Sequence, residues 1–545
     1  MSNRTRLSPI LNLAVGICAV VAFGHAAEAH LTAGERSAVT PSTADAFTGV
    51  SSDDAKMISL IDKTLSDAWQ ADAVVPAERS SDAEFLRRAF LDLTGRIPRV
   101  SETRTFLDDA APNKREQLIG DLLERPGHPS HLADVWCRFL LPDTAAVNQI
   151  DGSNAFESWM RNRFAENRSY AEIVRELLLA TGEPNESGPV LFYTSLELKP
   201  EKVAASTSRA FLGIQIQCAQ CHNHPFDKWT QNDFWGYAAF FARISPQSTQ
   251  AGRQGTVRDS TTGEVMLPDS DEVVAPRFLL GKDAIKQNER SRRQLLAEWM
   301  TAPENPYFAK AAVNRIWAQL FGHGIIDPPD DMNEANAPRF GLLLDELAGY
   351  FASTNYDVRR FYQLLTMTNA YQLSSEHLSE NDRPAGLFAS MQLKMLTAEQ
   401  LYNCVSVATC RPYDDVLASV PSSRAKRAMT NRGTFVDKFR APTGNPTEYR
   451  SGIPQALMLL NGKLVDDATD LDRSDILVSL QAPFFTDDER VETLFLATLS
   501  RRPSAEMQQN FADYIAACRS EEEKQTALGN ILWALLNSAE FAMNH

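Results

Sequence analysis

The sequence predicts a mainly α-helical fold, with two helical domains and minor β content in the segment that connects them. Apolar residues recur at helical spacing through most of the chain, and capping residues precede several of these runs. One stretch rich in Gly, Pro, Ser and Asp interrupts this pattern near the middle. The length of 545 residues exceeds what one hydrophobic core usually fills, so two or more domains are expected.

The N-terminus has the order of charge and apolarity that is typical of a secretory signal peptide. Arg4 and Arg6 precede an apolar run over residues 11–23, and Ala-Glu-Ala at 27–29 then offers a small-residue cleavage site. The apolar run is too short to favour a stable membrane span. We therefore expect residues 1–29 to be a signal peptide and the protein to be exported to the periplasm or the cell surface.

The first predicted helical domain covers residues 56–246 and follows a flexible leader over residues 30–55. Ser-x-x-Glu patterns at Ser81 and Ser169 are typical of capping boxes that open helices, and Gly95 ends the first of them. Amphipathic helices are also expected over 153–166 and 200–212.

The second predicted helical domain covers residues 285–545, after a linker at 247–284 that has room for a small hairpin. Asn305 is followed by a proline that suits the first helical position, and Gly322 ends this helix. Further helices are expected over 342–351, 358–368, 397–407 and most of 487–545.

The charge balance argues against two classes of partner. The chain has 54 Lys and Arg against 70 Asp and Glu, a formal net charge of -16. Nucleic acids and anionic membrane surfaces both favour a basic protein face. We therefore expect no nucleic acid as a partner.

The strongest chemical signature is Cys218-Ala-Gln-Cys221-His222-Asn-His224. Its first interpretation is covalent haem c, because two thiols three residues apart can form thioethers and the next histidine can ligate the iron. Export suits this chemistry, since c-type haem is attached outside the cytoplasm. The candidates for a sixth iron ligand are Met266, His128, His131 and His323.

A second interpretation is a metal site of the zinc type. Cys218, Cys221, His222 and His224 offer two thiolates and two imidazoles, which are the ligand types of tetrahedral zinc. Asp227 could orient an imidazole from outside the ligand set. Adjacent residues such as Cys221 and His222 rarely bind one ion without strain, which counts against this interpretation.

A third interpretation involves no bound group. Cys218 and Cys221 would form a short disulfide or remain a thiol pair, while the histidines and Trp229 only pack and form hydrogen bonds. The aromatic residues that follow, up to Phe241, would form an apolar wall that suits a haem pocket or a carbohydrate platform, although aromatic residues at helical spacing more often belong to the core. Asp327, Asp330 and Asp331 could bind calcium, but a solvated acidic loop is the simpler expectation.

Several segments resemble two known domains of unknown function. The sequence Phe-Leu-Arg-Arg-Ala-Phe-Leu-Asp-Leu-Thr-Gly-Arg-Ile-Pro at 85–98, together with 177–182 and 218–227, resembles the planctomycete cytochrome-like domain PSCyt. The later sequence resembles the PSD domain that usually follows it. The segments of this second resemblance are 293–299, 305–308, 313–317, 321–322, 327–328 and 371–374.

This resemblance implies a bacterial exported protein, of a kind often encoded beside sulfatase-like proteins, that serves polysaccharide breakdown. Sulfatase-like or polysaccharide-degrading proteins are therefore the expected partners. Many PSD domains carry a cysteine-containing stretch after a Phe-x-x-x-Phe motif. Here Phe435 and Phe439 are followed by a stretch without cysteine, and the pattern resumes at 455–462. A function that needs this second cysteine site is therefore in doubt.

The sequence thus leads to one main hypothesis and two alternatives. The main one is a haem-carrying redox protein with Cys218 and Cys221 as attachment sites and His222 as axial ligand. The alternatives are a metal-dependent or carbohydrate-processing protein that uses the same cluster, and a non-catalytic binding scaffold.

Overall fold

The computed structural model describes most of the chain after residue 50. The described ranges are 51–142, 153–183, 186–247, 256–268, 270–281, 290–376, 386–411, 432–433, 435–436, 465, 468–470 and 474–545. The predicted signal peptide, nearly all of the predicted leader and most of the stretch 435–462 lie outside these ranges.

The first half of the described chain is helical from its start. The helices are α1 (Ser52–Ala71), α2 (Asp82–Thr94), α3 (Val100–Asp108), α4 (Lys114–Glu124), α5 (Gly127–Leu140), α6 (Ser153–Ala165), α7 (Tyr170–Leu178), α8 (Val190–Ser195), α9 (Pro200–Thr207) and α10 (Gln231–Ala238). Between α9 and α10 lie a π-helical turn (Ser208–Leu212) and a 3-10 turn (Gln217–Gln220).

Short strands occupy the segment that connects the two halves. The strands β1 (Ile244–Gln247) and β2 (Thr256–Asp259) pair antiparallel, and so do β3 (Val265–Met266) and β4 (Val273–Val274). The prediction of a mainly helical protein with minor β content in its connecting segment is confirmed.

The second half returns to helices. They are α11 (Arg292–Met300), α12 (Phe308–Phe321), α13 (Gly341–Ser353), α14 (Val358–Thr366), α15 (Ala398–Ala408), α16 (Asp475–Leu480), α17 (Asp487–Thr498), α18 (Ala505–Ala516), α19 (Glu521–Leu536) and α20 (Ala539–Ala542). Two short 3-10 turns, Glu334–Asn336 and Ala370–Gln372, lie in the connections. The sequence did not predict β5 (Lys394–Met395), which pairs antiparallel with β6 (Met543–Asn544).

The helix starts predicted at Ser81 and Ser169 are correct, but the two predicted capping boxes are not formed. The helix predicted to start at Pro306 begins instead at Phe308, and Asn305 Oδ1 accepts the N–H groups of Tyr307 and Phe308. The Ser81 hydroxyl accepts the N–H of Glu84 at 3.2 Å. The Glu84 carboxylate does not reach back; it accepts instead from the Ser375 N–H at 2.7 Å and from Arg88. At α7, the buried Ser169 hydroxyl has no hydrogen-bond partner in the described part of the chain. Only at Glu84 has a tertiary contact replaced the local one.

The two sequence halves share hydrophobic cores. The larger core draws on residues from Ile61 to Met391 and includes helices on both sides of the strand segment. The smaller core packs Leu91 and Ile97 among apolar side chains of residues 396–541. The domain limits at 246 and 285 stay a prediction about the sequence.

A buried polar cluster joins the two halves at Asp92. Its carboxylate accepts from Lys394 Nζ at 2.7 Å, from the Tyr371 hydroxyl at 2.9 Å and from Asn544 Nδ2 at 2.7 Å. Burial lowers the pKa of Lys394, and Asp92 partly offsets this effect. A buried charge pair with further hydrogen bonds is costly to break from one side.

Arg87 lies in a nest of carbonyl groups from the C-terminal helices. Its guanidinium donates to the carbonyl oxygens of Thr498 at 3.0 Å, Phe541 at 2.8 Å and Met543 at 3.3 Å. The side chain is fully buried, and burial lowers its pKa. Arg87 therefore ties α2 to the end of α17 and to the segment α20–β6.

Among the helices in the described ranges, none has the length and apolarity that crossing a bilayer requires.

Candidate functional site

The chain enters the cysteine motif through a fixed turn at Gly213. This residue ends the π-helical turn with a φ of 66°, a left-handed conformation that favours glycine. Its carbonyl accepts the N–H of Met332 at 2.9 Å, and a Cβ atom at this position would lie 2.9 Å from Met332 Sδ. A loop of the second half thus fixes where the motif begins.

Cys218 and Cys221 lie at the surface, on and just after the 3-10 turn Gln217–Gln220. Both are exposed free thiols, whereas Ala219 between them is completely buried. The buried Ala219 anchors the turn, so the two sulfur atoms remain accessible. We call residues 217–230 the cysteine loop.

The helix that follows holds the backbone of the cysteine loop. Gln231 donates from its backbone N–H to Asn223 Oδ1 at 3.0 Å and from its side chain to the Cys221 carbonyl at 3.1 Å. The indole N–H of Trp235 donates to the Gln220 carbonyl at 3.0 Å. The loop therefore has a defined backbone and exposed side chains.

The two histidines of the loop have different hydrogen-bonding roles. His222 Nδ1 lies 2.7 Å from the Asn223 carbonyl oxygen, which can only accept, so this contact assigns the proton to Nδ1 and leaves the lone pair on Nε2. His224 Nδ1 accepts the N–H of Phe226 at 3.3 Å, which assigns its proton to Nε2. His222 is exposed, and the lone pair of its Nε2 could bind a metal ion. In His224 the lone pair of Nδ1 already accepts the Phe226 N–H.

Asp227 and Trp229, which the sequence analysis also singled out, contact the protein itself. Asp227 Oδ1 accepts the N–H of Lys228 at 2.7 Å and does not orient an imidazole. Trp229 is buried, and its indole N–H has no hydrogen-bond partner within the described residues. Phe226, by contrast, is 85% exposed. The aromatic side chains of α10 and of the turn after it belong mainly to the core.

The four candidate zinc ligands do not converge in this conformation. In the described part of the chain, which includes the whole loop, no group of three or more His, Cys, Asp or Glu side chains is arranged to hold a metal ion. Adjacent Cys221 and His222 leave little freedom to close such a site.

Two of the proposed sixth ligands lie in the helical core. His128 Nδ1 donates to the Leu93 carbonyl at 2.8 Å and the ring packs edge-on against Tyr362. Burial lowers the pKa of His128 to about 4 and that of His131 to about 3. Both rings are therefore neutral core residues packed between helices.

The other two proposed sixth ligands are more accessible. His323 follows α12 and is half-buried, and its Nε2 accepts the Gly386 N–H at 3.3 Å. Met266 is 54% exposed on β3. Its strand β3 packs against α10, and α10 in turn packs against the 3-10 turn of the cysteine loop.

The acidic loop predicted as a calcium alternative is used for contacts within the protein. Asp330 is buried and accepts from Gln215 Nε2 at 3.3 Å, while Asp331 accepts from Asn333 Nδ2 at 2.7 Å. Asp327 is exposed and accepts only a long contact from the Gly324 N–H at 3.4 Å. These carboxylates do not form a common cation site.

Sequence reasoning missed a cavity of about 210 Å³ between α5 and α12. Arg138 and Phe139 contribute from α5, Arg315 and Ala318 from α12, and Asp327 from the following loop. Arg315 belongs to the segment 313–317 that the sequence analysis noted only as part of a resemblance. The apolar neighbours Val313 and Trp317 indicate that Arg315 lies on a helix. That it also lines a cavity is visible only in the tertiary structure.

Both predicted family resemblances are confirmed. Residues 60–246 match the family model PSCyt2, described as a protein of unknown function (DUF1549). Residues 292–418 match PSD1, also described as a protein of unknown function (DUF1553). No curated protein and no solved structure matches the chain. The two descriptions leave the chemistry of the site to be argued from its residues.

Proposed function

We propose that this chain, in which a PSCyt2 match over residues 60–246 precedes a PSD1 match over residues 292–418, is an exported cytochrome-like protein that carries haem c on the cysteine loop. Cys218 and Cys221 would hold the haem by thioether bonds, and His222 would ligate the iron. The redox step would serve an exported system such as polysaccharide breakdown, which the family resemblance implies.

The hydrogen bond of His222 to the Asn223 carbonyl carries this proposal. A histidine that ligates a metal ion commonly donates its other ring N–H to a carbonyl or carboxylate, which fixes the tautomer and the ring orientation. His222 has this arrangement, and its Nε2 is free at the surface. It is also the histidine that directly follows the second cysteine.

The two thiols meet the remaining requirements for covalent attachment. Both are reduced and exposed, so a haem vinyl group can reach them without unfolding the core. The hydrogen bonds from Gln231 and Trp235 would hold the loop backbone when a large group is attached. Trp229 adds a buried N–H donor that lacks a partner within the described residues.

Bound haem would supply one-electron redox chemistry, which none of these side chains supplies alone. The role of this chain would be to hold the group, to set its axial ligation and to limit its exposure to water. Of the four candidates, Met266 would be the second residue to hold the iron, because its strand packs against α10 and its side chain is exposed.

The test is haem attachment in an exporting bacterial host that expresses the cytochrome c maturation machinery. We expect haem that stays with the denatured polypeptide, measured by haem staining of a denaturing gel and by the pyridine haemochrome spectrum. Cys218→Ala with Cys221→Ala should abolish attachment. Cys410→Ala, at an exposed free thiol outside the loop, is the matched control and should not affect it.

The histidine variants separate attachment from ligation. His222→Ala should keep the haem attached but change its spectrum, whereas His224→Ala should change neither. Met266→Ala should alter the spectrum only. A protein that stays colourless and binds one zinc ion per chain would support the zinc alternative. A colourless, metal-free protein with a Cys218–Cys221 disulfide would contradict both the haem and the zinc hypotheses and would support a non-catalytic binding scaffold.

A further inference from the structure

The guanidinium group of Arg315 lines the cavity between α5 and α12, and no ion pair among the described residues neutralises its charge. Arg315 is 9% exposed, and in the described part of the chain no carboxylate lies within ion-pair distance of its guanidinium. One terminal nitrogen donates to the Arg209 carbonyl at 3.3 Å, but Nε has no hydrogen-bond partner. Because a buried charge without an opposite charge beside it destabilises the fold, this side chain favours a bound anion.

The neighbours of Arg315 reduce this cost without removing it. Its guanidinium stacks on the Phe139 ring, 3.2 Å from the ring centre, which is a favourable cation–π contact. Burial still lowers the pKa of Arg315 to about 10, and Asp330 offsets only part of this effect. Asp330 is itself engaged with Gln215 and faces Arg209 at 3.9 Å.

The walls of the cavity define the kind of anion. Val135, Phe139 and Ala318 present apolar surface, and Arg138 adds a second guanidinium, which lies 4.0 Å from the Glu399 carboxylate. Asp327 places a carboxylate on the same cavity and would repel a second negative charge. A monoanion with an apolar body therefore fits better than a phosphate or sulfate dianion.

We propose that this cavity is a binding site for a small organic monocarboxylate, with Arg315 as its charged partner and Phe139, Val135 and Ala318 as its apolar wall. The volume of about 210 Å³ admits a body the size of one aromatic ring. The proposal does not depend on haem, because the cavity and the cysteine loop have different side chains.

The experiment measures binding of benzoate to the full chain by isothermal titration calorimetry. Benzamide, a neutral molecule of the same shape, and inorganic phosphate are the comparison probes. We expect benzamide and phosphate to bind at least tenfold more weakly than benzoate. Equal binding of benzoate and benzamide, or tighter binding of phosphate, would overturn the proposal.

Two variants assign the binding to this cavity. Arg315→Met should weaken benzoate about tenfold or more, which corresponds to about 1.4 kcal/mol or more. Ala318→Phe fills the cavity without changing a charge and should abolish binding; it decides the matter if Arg315→Met fails to fold. Arg519→Met, at an exposed arginine outside the cavity, should leave binding unchanged. Unaltered binding in a folded Ala318→Phe protein would contradict the proposed site.

Discussion

The motif at 85–98 and the cysteine loop are equally distinctive in sequence and opposite in structure. In the first, Arg87, Arg88 and Asp92 are buried and bonded to distant parts of the chain. In the second, Cys218, Cys221 and His222 are exposed, and the first two are free thiols. A distinctive motif can therefore either stabilise the fold or bind a ligand. Burial of its polar side chains indicates the first role, and their exposure is compatible with the second.

The largest expected effect comes from breaking the Asp92 cluster. Asp92→Ala leaves Lys394, Tyr371 and Asn544 without their shared acceptor, and we expect it to lower the free energy of unfolding by about 3–5 kcal/mol. Chemical denaturation would measure this change. The control is Asp108→Ala, which removes a surface pair with Arg502 and should cost under about 1 kcal/mol. Similar losses in both variants would contradict the comparison.

The next effect is expected at Gly95, which ends α2 with a φ of 67°. A Cβ atom there would lie 2.6 Å from His131 Nδ1, so Gly95→Ala combines backbone strain with a clash in the core. We expect a loss of about 2–4 kcal/mol in thermal or chemical unfolding. Gly349→Ala is the matched control, because it lies in α13 with nothing within 4 Å; it should be neutral or stabilising by up to about 1 kcal/mol.

The buried histidines predict a loss of stability in mild acid. The pKa values of His128 and His131, about 4 and about 3 in the folded protein, lie below the ordinary value of 6.5 because burial disfavours the charged ring. The unfolded chain therefore binds protons first as the pH falls. Stability is complete above about pH 6.5 and declines below it, by about 2 kcal/mol for each ring at pH 5. His545, with a pKa of about 4, adds to the same decline.

The charges around these rings act in the same direction. Arg359 further lowers the pKa of His128, and Arg138 and Lys394 lower that of His131, where Glu399 opposes them. The unfolding free energy measured between pH 7 and pH 5 should therefore fall less steeply in His131→Gln than in the unaltered protein. An unchanged slope in His131→Gln would contradict this explanation.

The smallest effect is expected in the cysteine loop. Phe226 is 85% exposed, so Phe226→Ser should change the free energy of unfolding by less than about 0.5 kcal/mol. Phe85→Ala, at a completely buried ring on α2, should cost about 3–5 kcal/mol. Chemical denaturation of the two variants measures the contrast directly. A large loss at Phe226 would show that the loop also supports the fold.

The sequence predicted local structure better than it predicted what polar side chains do. Helix starts at Ser81 and Ser169 were correct because capping residues and apolar spacing are local signals. The hydrogen bond from the Ser375 N–H to the Glu84 carboxylate joins residues 291 positions apart, and no local sequence signal indicates it. The pairing of β5 with β6 was missed for the same reason, since each strand has only two residues.

The candidate site was identifiable in part. The spacing of Cys218, Cys221 and His222 pointed to the loop, because this pattern is rare and chemically specific. The difference between His222 and His224 could not be predicted, since it depends on which backbone groups each ring meets. The isolation of Arg315 was equally hidden, because a missing partner is a property of three-dimensional packing.

The carbonyl nest around Arg87 also sets an order of events during synthesis. Its partners follow it by 411 to 456 residues in the sequence. At a synthesis rate of about 5–20 residues per second, roughly 20 to 80 seconds separate the arginine from its first acceptor. During that interval α2 cannot bury its cation among these carbonyls. The contacts of Arg87 with these carbonyls therefore form late in folding. We expect a nascent chain arrested before Thr498 to bind chaperones.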